Sequence, residues 1–464
     1  MPALLPPGTP AVPVTCLSKE CWPAMREALA PQHRAYCAAV DFAPKAGRLV
    51  LLPGEDGTLA RVLYGVGKGG GNGFGEPGGD RLIAGKLPGL LPPGNYRFDV
   101  EDAAFDPAEA TLAWLLGSYR FTRYKTGRAG PALVAPDGVD AGEIVRIASA
   151  VAMGRDLVNT PANDLGPAEI EAATRDLAAR HGAALAVTLG EDLAREFPLI
   201  HAVGAASPRA PRLIDLTWGA PDAPLVILVG KGVAFDTGGL DIKPSSGMLL
   251  MKKDMGGAAA SLAAADMIMG AGLPIRLRLL IPAVENAVSG DAFRPGDVVR
   301  SRAGLSVEVG NTDAEGRLIL ADALALADAE TPDLLIDFAT LTGAARVALG
   351  PDLPAYFTED DALADAVMRA GEAAMDPVWR MPLHAPYASL LDSKVADINN
   401  VSGGPFAGAI TAALFLRRFA PKTKAHVHFD LYGWNPSSKP GRPEGGEVQT
   451  ARLVYALLKG RYRG

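Results

Sequence analysis

The chain reads as an α/β protein: a small N-terminal α/β domain over residues 1–138, a linker helix over 139–160, and a larger C-terminal domain over 161–464. The larger domain is expected to carry a mostly parallel sheet covered by helices on both faces. Three observations lead there. From residue 167 onward, short apolar runs alternate with segments of helical period, which is the pattern of a parallel sheet with helical crossovers. Residues 224–229 are almost wholly apolar and rich in branched side chains, as a strand buried on both faces must be. Before residue 139 the composition shifts to frequent Pro and Gly between short apolar runs, and 464 residues exceed what a single core needs.

In the first part, residues 49–52 form a short apolar run, and residues 22–29 and 108–119 read as helices. The glycine-rich stretch 65–75 invites comparison with a phosphate loop. It lacks the chemistry, because Lys68 is followed by Gly and no Ser or Thr stands ready for a metal contact. It reads as a glycine-rich loop. Residues 139–157 space Ile144, Ile147, Val151 and Leu157 near helical period, and Asn159-Thr-Pro-Ala-Asn163 ends that helix. Beyond it come a helix at 167–181, strands at 184–189, 212–217 and 225–229, a small-residue helix at 256–269 and a strand at 276–282. An alternating segment at 305–309, a helix at 318–328, a strand at 333–338 and a helix at 361–375 complete the reading.

Composition narrows the function. A hydrophobic fraction of 48% and a charged fraction of 21% are ordinary for a globular protein. The net charge of −7 gives no electrostatic reason to expect nucleic acid as a partner. No apolar run reaches the ~20 residues of an ordinary membrane span. The N-terminus is broken by prolines and lacks a basic stretch, so a secretory signal is not expected. Cys16, Cys21 and Cys37 are odd in number and confined to the first part, which fits a reducing, cytoplasmic setting rather than a disulfide framework.

The chemistry concentrates between residues 225 and 318. Lys231, Asp236, Lys243, Asp254, Asp313, Glu315 and Arg317 all stand at turns that end apolar runs. Lys231 and Asp236 leave the sheet at a strand's carboxyl end, where open α/β sheets bind ligands. Asp254 precedes the small-residue helix. Asp313, Glu315 and Arg317 alternate beside Gly316, just before the next helix, which Asn311 or Thr312 is expected to cap. Capping accounts for one acid and not for three charged groups aimed into one volume. Four carboxylates suffice for two divalent cations ~3.5–4 Å apart. Lys231 can join them as a ligand only when neutral, whereas Lys243 and Arg317 can stay charged and stabilise an oxyanion. A zinc site of the H-E-x-x-H type is absent; His426, His428 and Asp430 share one strand face and read as structural or as lining the cleft edge.

Three strings, VGKGVAFDTGGLDIKPSSGM, MKKDMGGAAA and NTDAEGRLILADAL, resemble the leucyl aminopeptidase family of di-metal exopeptidases. The resemblance runs from about Gly154 to the C-terminus through RDLVNTPAN, DFATLTGA, SKVADINN and GAITAALFLRRF. It implies two divalent metals, manganese or zinc, with Asp236 and Glu315 bridging, Asp313 on one side and Lys231 and Asp254 on the other. It further implies attack on the scissile carbonyl by a water the metals activate, with Lys243 stabilising the oxyanion and a bicarbonate at Arg317. Met251, Asn311 and Thr340, with Leu341 and Gly343, match positions that contact the substrate. Peptides with a free, apolar, leucine-like N-terminus are the expected substrates and a homohexamer the expected assembly. An alternative within the family is a hexameric scaffold or DNA-binding architectural protein, against which the acidic balance argues. Three departures stand out: FDTGG for FDSGG, Lys253 where an aromatic is usual, and Tyr432 and Trp434 in a turn usually built of smaller residues.

Overall fold

The computed structural model describes residues 3–67, 80–99, 105–127 and 129–462. Most of the glycine-rich stretch 65–75 lies outside the described residues. The chain divides into two compact units, Met1–Ala152 with Ser437–Glu444, and Met153–Pro436 with Gly445–Gly464.

The first unit is built on a five-stranded sheet in the order Leu49–Pro53, Leu59–Gly67, Val12–Ser18, Asn95–Asp99, Ala132–Leu133. Val12–Ser18 is parallel to both of its neighbours, and the hairpin partner Leu49–Pro53 is antiparallel. Helices Trp22–Ala28 and Pro31–Ala39 bury Met25 and Cys37 against Leu17, Leu52 and Leu63. Helix Pro107–Gly117 is capped by Asp106, whose side chain accepts from the amides of Ala108 and Glu109. The three cysteines form no disulfide, and Cys16 and Cys37 are buried.

The second unit carries the larger sheet. Its order is Trp379–Arg380, Ala355–Phe357, His426–Asp430, Leu334–Ala339, Leu225–Gly230, Arg276–Asn286, Arg212–Trp218, Ala184–Leu189, and Gly232–Asp236 pairs with the far end of Arg276–Asn286. The centre is parallel, with Leu225–Gly230 running alongside both Leu334–Ala339 and Arg276–Asn286. Antiparallel pairing enters towards the edges, at Arg212–Trp218 and Ala355–Phe357. The expected mostly parallel α/β sheet is therefore present.

Burial explains the apolar run. Val226, Ile227, Leu228 and Val229 are all fully buried. Ile227 and Val229 face a cluster that includes Leu318, Leu320 and Leu324 of helix Glu315–Ala329. By period two, Val226 and Leu228 face the other side, where helix Gly256–Gly270 packs against the same strand. Ala and Gly dominate that helix because it approaches the sheet closely: a Cβ on Gly257 would meet Phe338 O at 2.1 Å. Two covered faces leave only the strand ends open to ligands. Among the described residues no helix is long and apolar enough to cross a membrane.

Candidate metal centre

The ends of the central strands gather the charged residues. Lys231 follows strand Leu225–Gly230; its amide donates to Phe338 O (2.9 Å), and its carbonyl accepts from Ala258 N (2.9 Å). One residue thus joins two parallel strands and a helix, which fixes where its side chain starts. Asp236 ends strand Gly232–Asp236, and Asp254 lies in the 3-10 turn Met251–Met255 that leads into helix Gly256–Gly270. Glu315 opens helix Glu315–Ala329.

The expected cap of that helix is not formed. Ala314 holds the N-cap position without a side-chain hydrogen bond. Asn311 Oδ1 instead accepts from Asp313 N (2.7 Å), and Thr312 Oγ1 bonds Gly238 O (2.6 Å). Both polar side chains are committed to shaping the loop that presents Asp313.

Six of the seven charged residues converge as two interleaved groups. Lys231 Nζ lies 2.7 Å from Asp254 Oδ2 and 2.9 Å from Glu315 Oε1, and donates to Thr340 O at 2.9 Å. Lys243 Nζ lies 2.8 Å from Asp236 Oδ2 and pairs also with Asp313. Asp236, Asp313 and Glu315 each place a carboxylate oxygen within 4.8 Å of the others. Asp254 Oδ2, Asp313 Oδ1 and Glu315 Oε1 are buried, and although lysines approach them at ion-pair distance, none receives a hydrogen bond of good geometry.

The electrostatics point the same way. Burial, then the Asp236 charge, holds Glu315 well above the usual carboxylate range and raises Asp313 to about 6. Burial works against the charged form of Lys231, but Asp254, Glu315 and Asp236 outweigh it and hold the ammonium above its ordinary range. Lys243 is raised in the same manner by Asp236 and Asp313. Buried carboxylates that repel one another and lack donors call for more positive charge than two lysines bring. Hard or borderline divalent cations fit these carboxylate oxygens, and their positive charge beside Lys231 would favour the neutral amine that ligation by Lys231 requires.

Arg317 is buried; Nη1 donates to Asn400 O at 2.6 Å, whereas Nε is buried with no partner. Burial lowers its pKa to about 10. An orphaned guanidinium N–H suits an anion such as bicarbonate.

Of the residues matched to substrate contacts, Met251 opens the turn that holds Asp254, and Thr340 Oγ1 lies 2.9 Å from Asp254 Oδ1. Leu341 N donates to Asp430 Oδ1 (3.1 Å), Gly343 begins helix Gly343–Leu349, and Asn311 N donates to Asn400 Oδ1 (3.2 Å). His426 and His428 are tied to buried Asp337, at 2.7 and 2.5 Å. Lys253, buried beside Asp254, is drawn down to about 8 by burial.

Several supporting residues escaped the sequence reading. Asn286 Nδ2 donates to Asp236 Oδ1 (2.9 Å) and Thr312 O (3.2 Å), bridging the two loops. Asp241 Oδ2 accepts from Thr312 N (2.7 Å), and Asn400 accepts from Gly310 N (2.8 Å) and Asn311 N while donating to Asn311 O (2.8 Å). Asp430, which the sequence reading did single out as structural or at the cleft edge, accepts from Leu341 N, Thr342 N and the Thr342 hydroxyl and fixes the turn after Thr340.

Residues 152–458 match the family model described as cytosol aminopeptidase family, catalytic domain, and residues 12–136 match that of the M17 aminopeptidase N-terminal domain. A probable cytosol aminopeptidase of Roseiflexus castenholzii is 43% identical over 373 residues, covering 76% of this chain and 76% of the relative. Among solved structures, the cytosol aminopeptidase from Coxiella burnetii superposes with a TM-score of 0.93 at 45% identity, covering 99% of each chain. The bottromycin maturation enzyme BotP in complex with Mn gives a TM-score of 0.87 at 35% identity, covering 98% of this chain and all of that one.

Proposed function

The chain belongs to the cytosol aminopeptidase family of hydrolases, and from that premise we propose that it is a metal-dependent aminopeptidase releasing N-terminal residues from peptides. The observation that carries the metal dependence is the set of buried carboxylate oxygens without donors around Lys231. Lys231, Asp236, Asp254, Asp313 and Glu315 would hold two divalent ions, manganese or zinc; among the similar structures, BotP is a complex with Mn. Bound there, such ions would supply Lewis acidity toward the scissile carbonyl and lower the pKa of water.

The chain's own groups then divide the remaining work. Lys243, at the more open side of the cluster, would donate from Nζ to the oxygen on which negative charge develops. Arg317 would hold a bicarbonate through its free Nε, and that anion would carry the proton for which the site provides no uncommitted carboxylate. Met251, Asn311, Thr340, Leu341 and Gly343 would contact the first residue of the substrate, with a leucine-like side chain as the reference case. A hexameric assembly follows from the family and is open to sedimentation, where a monomer at micromolar concentration would overturn it.

The test is hydrolysis of leucine amide by metal-stripped protein titrated with manganese or zinc. Activity should return with metal, vanish when the substrate is N-acetylated, and fall ~10²–10³-fold in kcat for Lys243→Ala, the usual cost of losing one oxyanion donor. A wild type inert with every divalent ion would sink the reading and favour a scaffold role.

A further inference from the structure

The wall of the centre that carries Asp254 and Thr340 also carries two cations that the proposed hydrolysis does not use. Lys253 is only 6% exposed, yet among the described residues its ammonium makes no hydrogen bond and no ion pair. Its nearest partner is a ring: Nζ lies 4.8 Å from the centroid of Tyr432. The guanidinium of Arg346 approaches the same ring at 5.2 Å and likewise has no ion pair among the described residues. The neighbouring Lys252 shows what a structural lysine does here. Its ammonium donates to Asn159 O at 2.7 Å and lies over Trp434 at 5.5 Å.

A ring face orients a cation and lowers the cost of burying it, but neutralises no charge and uses no strong acceptor. Lys253 therefore keeps N–H donors aimed at nothing in the protein, in a place where an unpaired charge is costly. The nearby carboxylate of Asp430 is turned away to Leu341 N, Thr342 N and the Thr342 hydroxyl. The two cations border the residues proposed to contact the first substrate residue. Lys253 directly precedes Asp254. A Cβ on Gly433, next to Tyr432, would lie 3.1 Å from the Thr340 methyl, and one on Gly343 would lie 4.0 Å from Arg346 Nη2.

We propose that Lys253 and Arg346, both held against the ring of Tyr432, form a carboxylate-binding subsite for the side chain of an acidic first residue, aspartate or glutamate. The proposal rests on the aminopeptidase reading and names its substrate class. A carboxylate gives Lys253 the charged acceptor it lacks, and a leucine side chain leaves it unpaired.

The decisive comparison is kcat/KM for glutamyl against glutaminyl 4-nitroanilide, a pair matched in shape and differing in charge, with leucyl 4-nitroanilide alongside. Wild type should prefer glutamyl, and Lys253→Met should lower the glutamyl-to-glutaminyl ratio about tenfold or more, the usual weight of one hydrogen bond to a charged group. Arg346→Gln, on an exposed position of helix Gly343–Leu349, should lower it in the same direction and serves if Lys253→Met fails to fold. Glutamate should raise the wild-type Tm more than glutamine does, and this difference should disappear in the variants. Leucyl-glutamate and leucyl-glutamine dipeptides locate the carboxylate: a Lys253 effect confined to them would place it on the second residue and overturn the proposal. A ratio unmoved by both variants, with leucyl substrate still cleaved, overturns the subsite alone. If no substrate is cleaved with any metal, the aminopeptidase reading falls, and equal Tm shifts with glutamate and glutamine would then overturn the subsite as well.

Discussion

A single hydrogen at Gly316 decides whether Lys231 can reach the acids. A Cβ there would fall 2.5 Å from Lys231 Cε and 2.7 Å from Nζ, well inside contact distance. The obstacle is the far end of a flexible side chain, so the fold can survive Gly316→Ala while the amine is pushed off the cluster. The expected outcome is a stable protein whose affinity for manganese or zinc falls ~10–100-fold, the range seen when a group that orients metal ligands is disturbed. Calorimetric titration of the metal-stripped variant measures it, and an unchanged affinity would remove Lys231 from the ligand set. The charged residues themselves were legible in the sequence because each ends an apolar run, and a charge at a strand's carboxyl end stands out against its surroundings. Asn286 and Asn400 were not. They are neutral, they carry no pattern of their own, and Asn400 meets its loop 89 and 90 residues away in the chain. Asn311 and Thr312 misled for the opposite reason. Their type and position suit a cap, but Asn311 Oδ1 accepts from Asp313 N inside the loop, and the Thr312 hydroxyl is committed to the distant Gly238 O and Asp241 Oδ2.

Two helix starts in the second unit show how function and stability divide. Helix Glu315–Ala329 has no side-chain cap and opens with a buried acid raised in pKa, an arrangement that propensity alone would not choose. Helix Asp361–Ala373 opens conventionally, with Asp360 accepting from Leu363 N at 2.9 Å. Removing that cap by Asp360→Ala should cost about 1 kcal/mol of stability. It should leave kcat/KM on leucine amide unaltered, since Asp360 takes no part in the charged cluster. Urea denaturation and steady-state kinetics on the same preparation check both halves, and a fall in activity without a fall in stability would contradict the division. Strand and helix positions were readable from period and apolarity, as the matching bounds Pro167–His181 and Ala184–Leu189 show. The order of the strands was not. Arg212–Trp218 buries Leu213, Ile214 and Leu216 as the parallel central strands bury theirs, and nothing local says that it runs antiparallel to Arg276–Asn286.

The longest tie in the second unit is also its clearest acid-sensitive point. Arg155, in helix Ala141–Asn159, meets Glu447 across 292 residues of sequence, with Nε to Oε1 at 3.1 Å and Nη2 to Oε2 at 2.8 Å. Asn435 Nδ2 and Val448 N donate to the same carboxylate at 2.9 and 3.0 Å. Burial alone would raise the Glu447 pKa, but Arg155, with Asn435 and the charge of Arg452, reverses the direction and holds it at about 2. A depressed carboxylate pKa stabilises the fold fully above the unfolded value of about 4.3 and ceases to do so as pH falls toward the folded value. Between pH 7 and pH 3 the loss should amount to about 2 kcal/mol. Glu447→Gln keeps the shape but removes the negative charge facing the buried Arg155 guanidinium, and should destabilise the protein by about 3–5 kcal/mol at pH 7. Because the variant has no carboxylate to titrate there, its deficit relative to wild type should shrink by about 2 kcal/mol on going to pH 3. Urea denaturation at pH 7, 5 and 3, followed by tryptophan fluorescence, measures the gap. A gap that stays constant across that range would mean that Glu447 acts through packing and hydrogen bonding, with its charge contributing nothing.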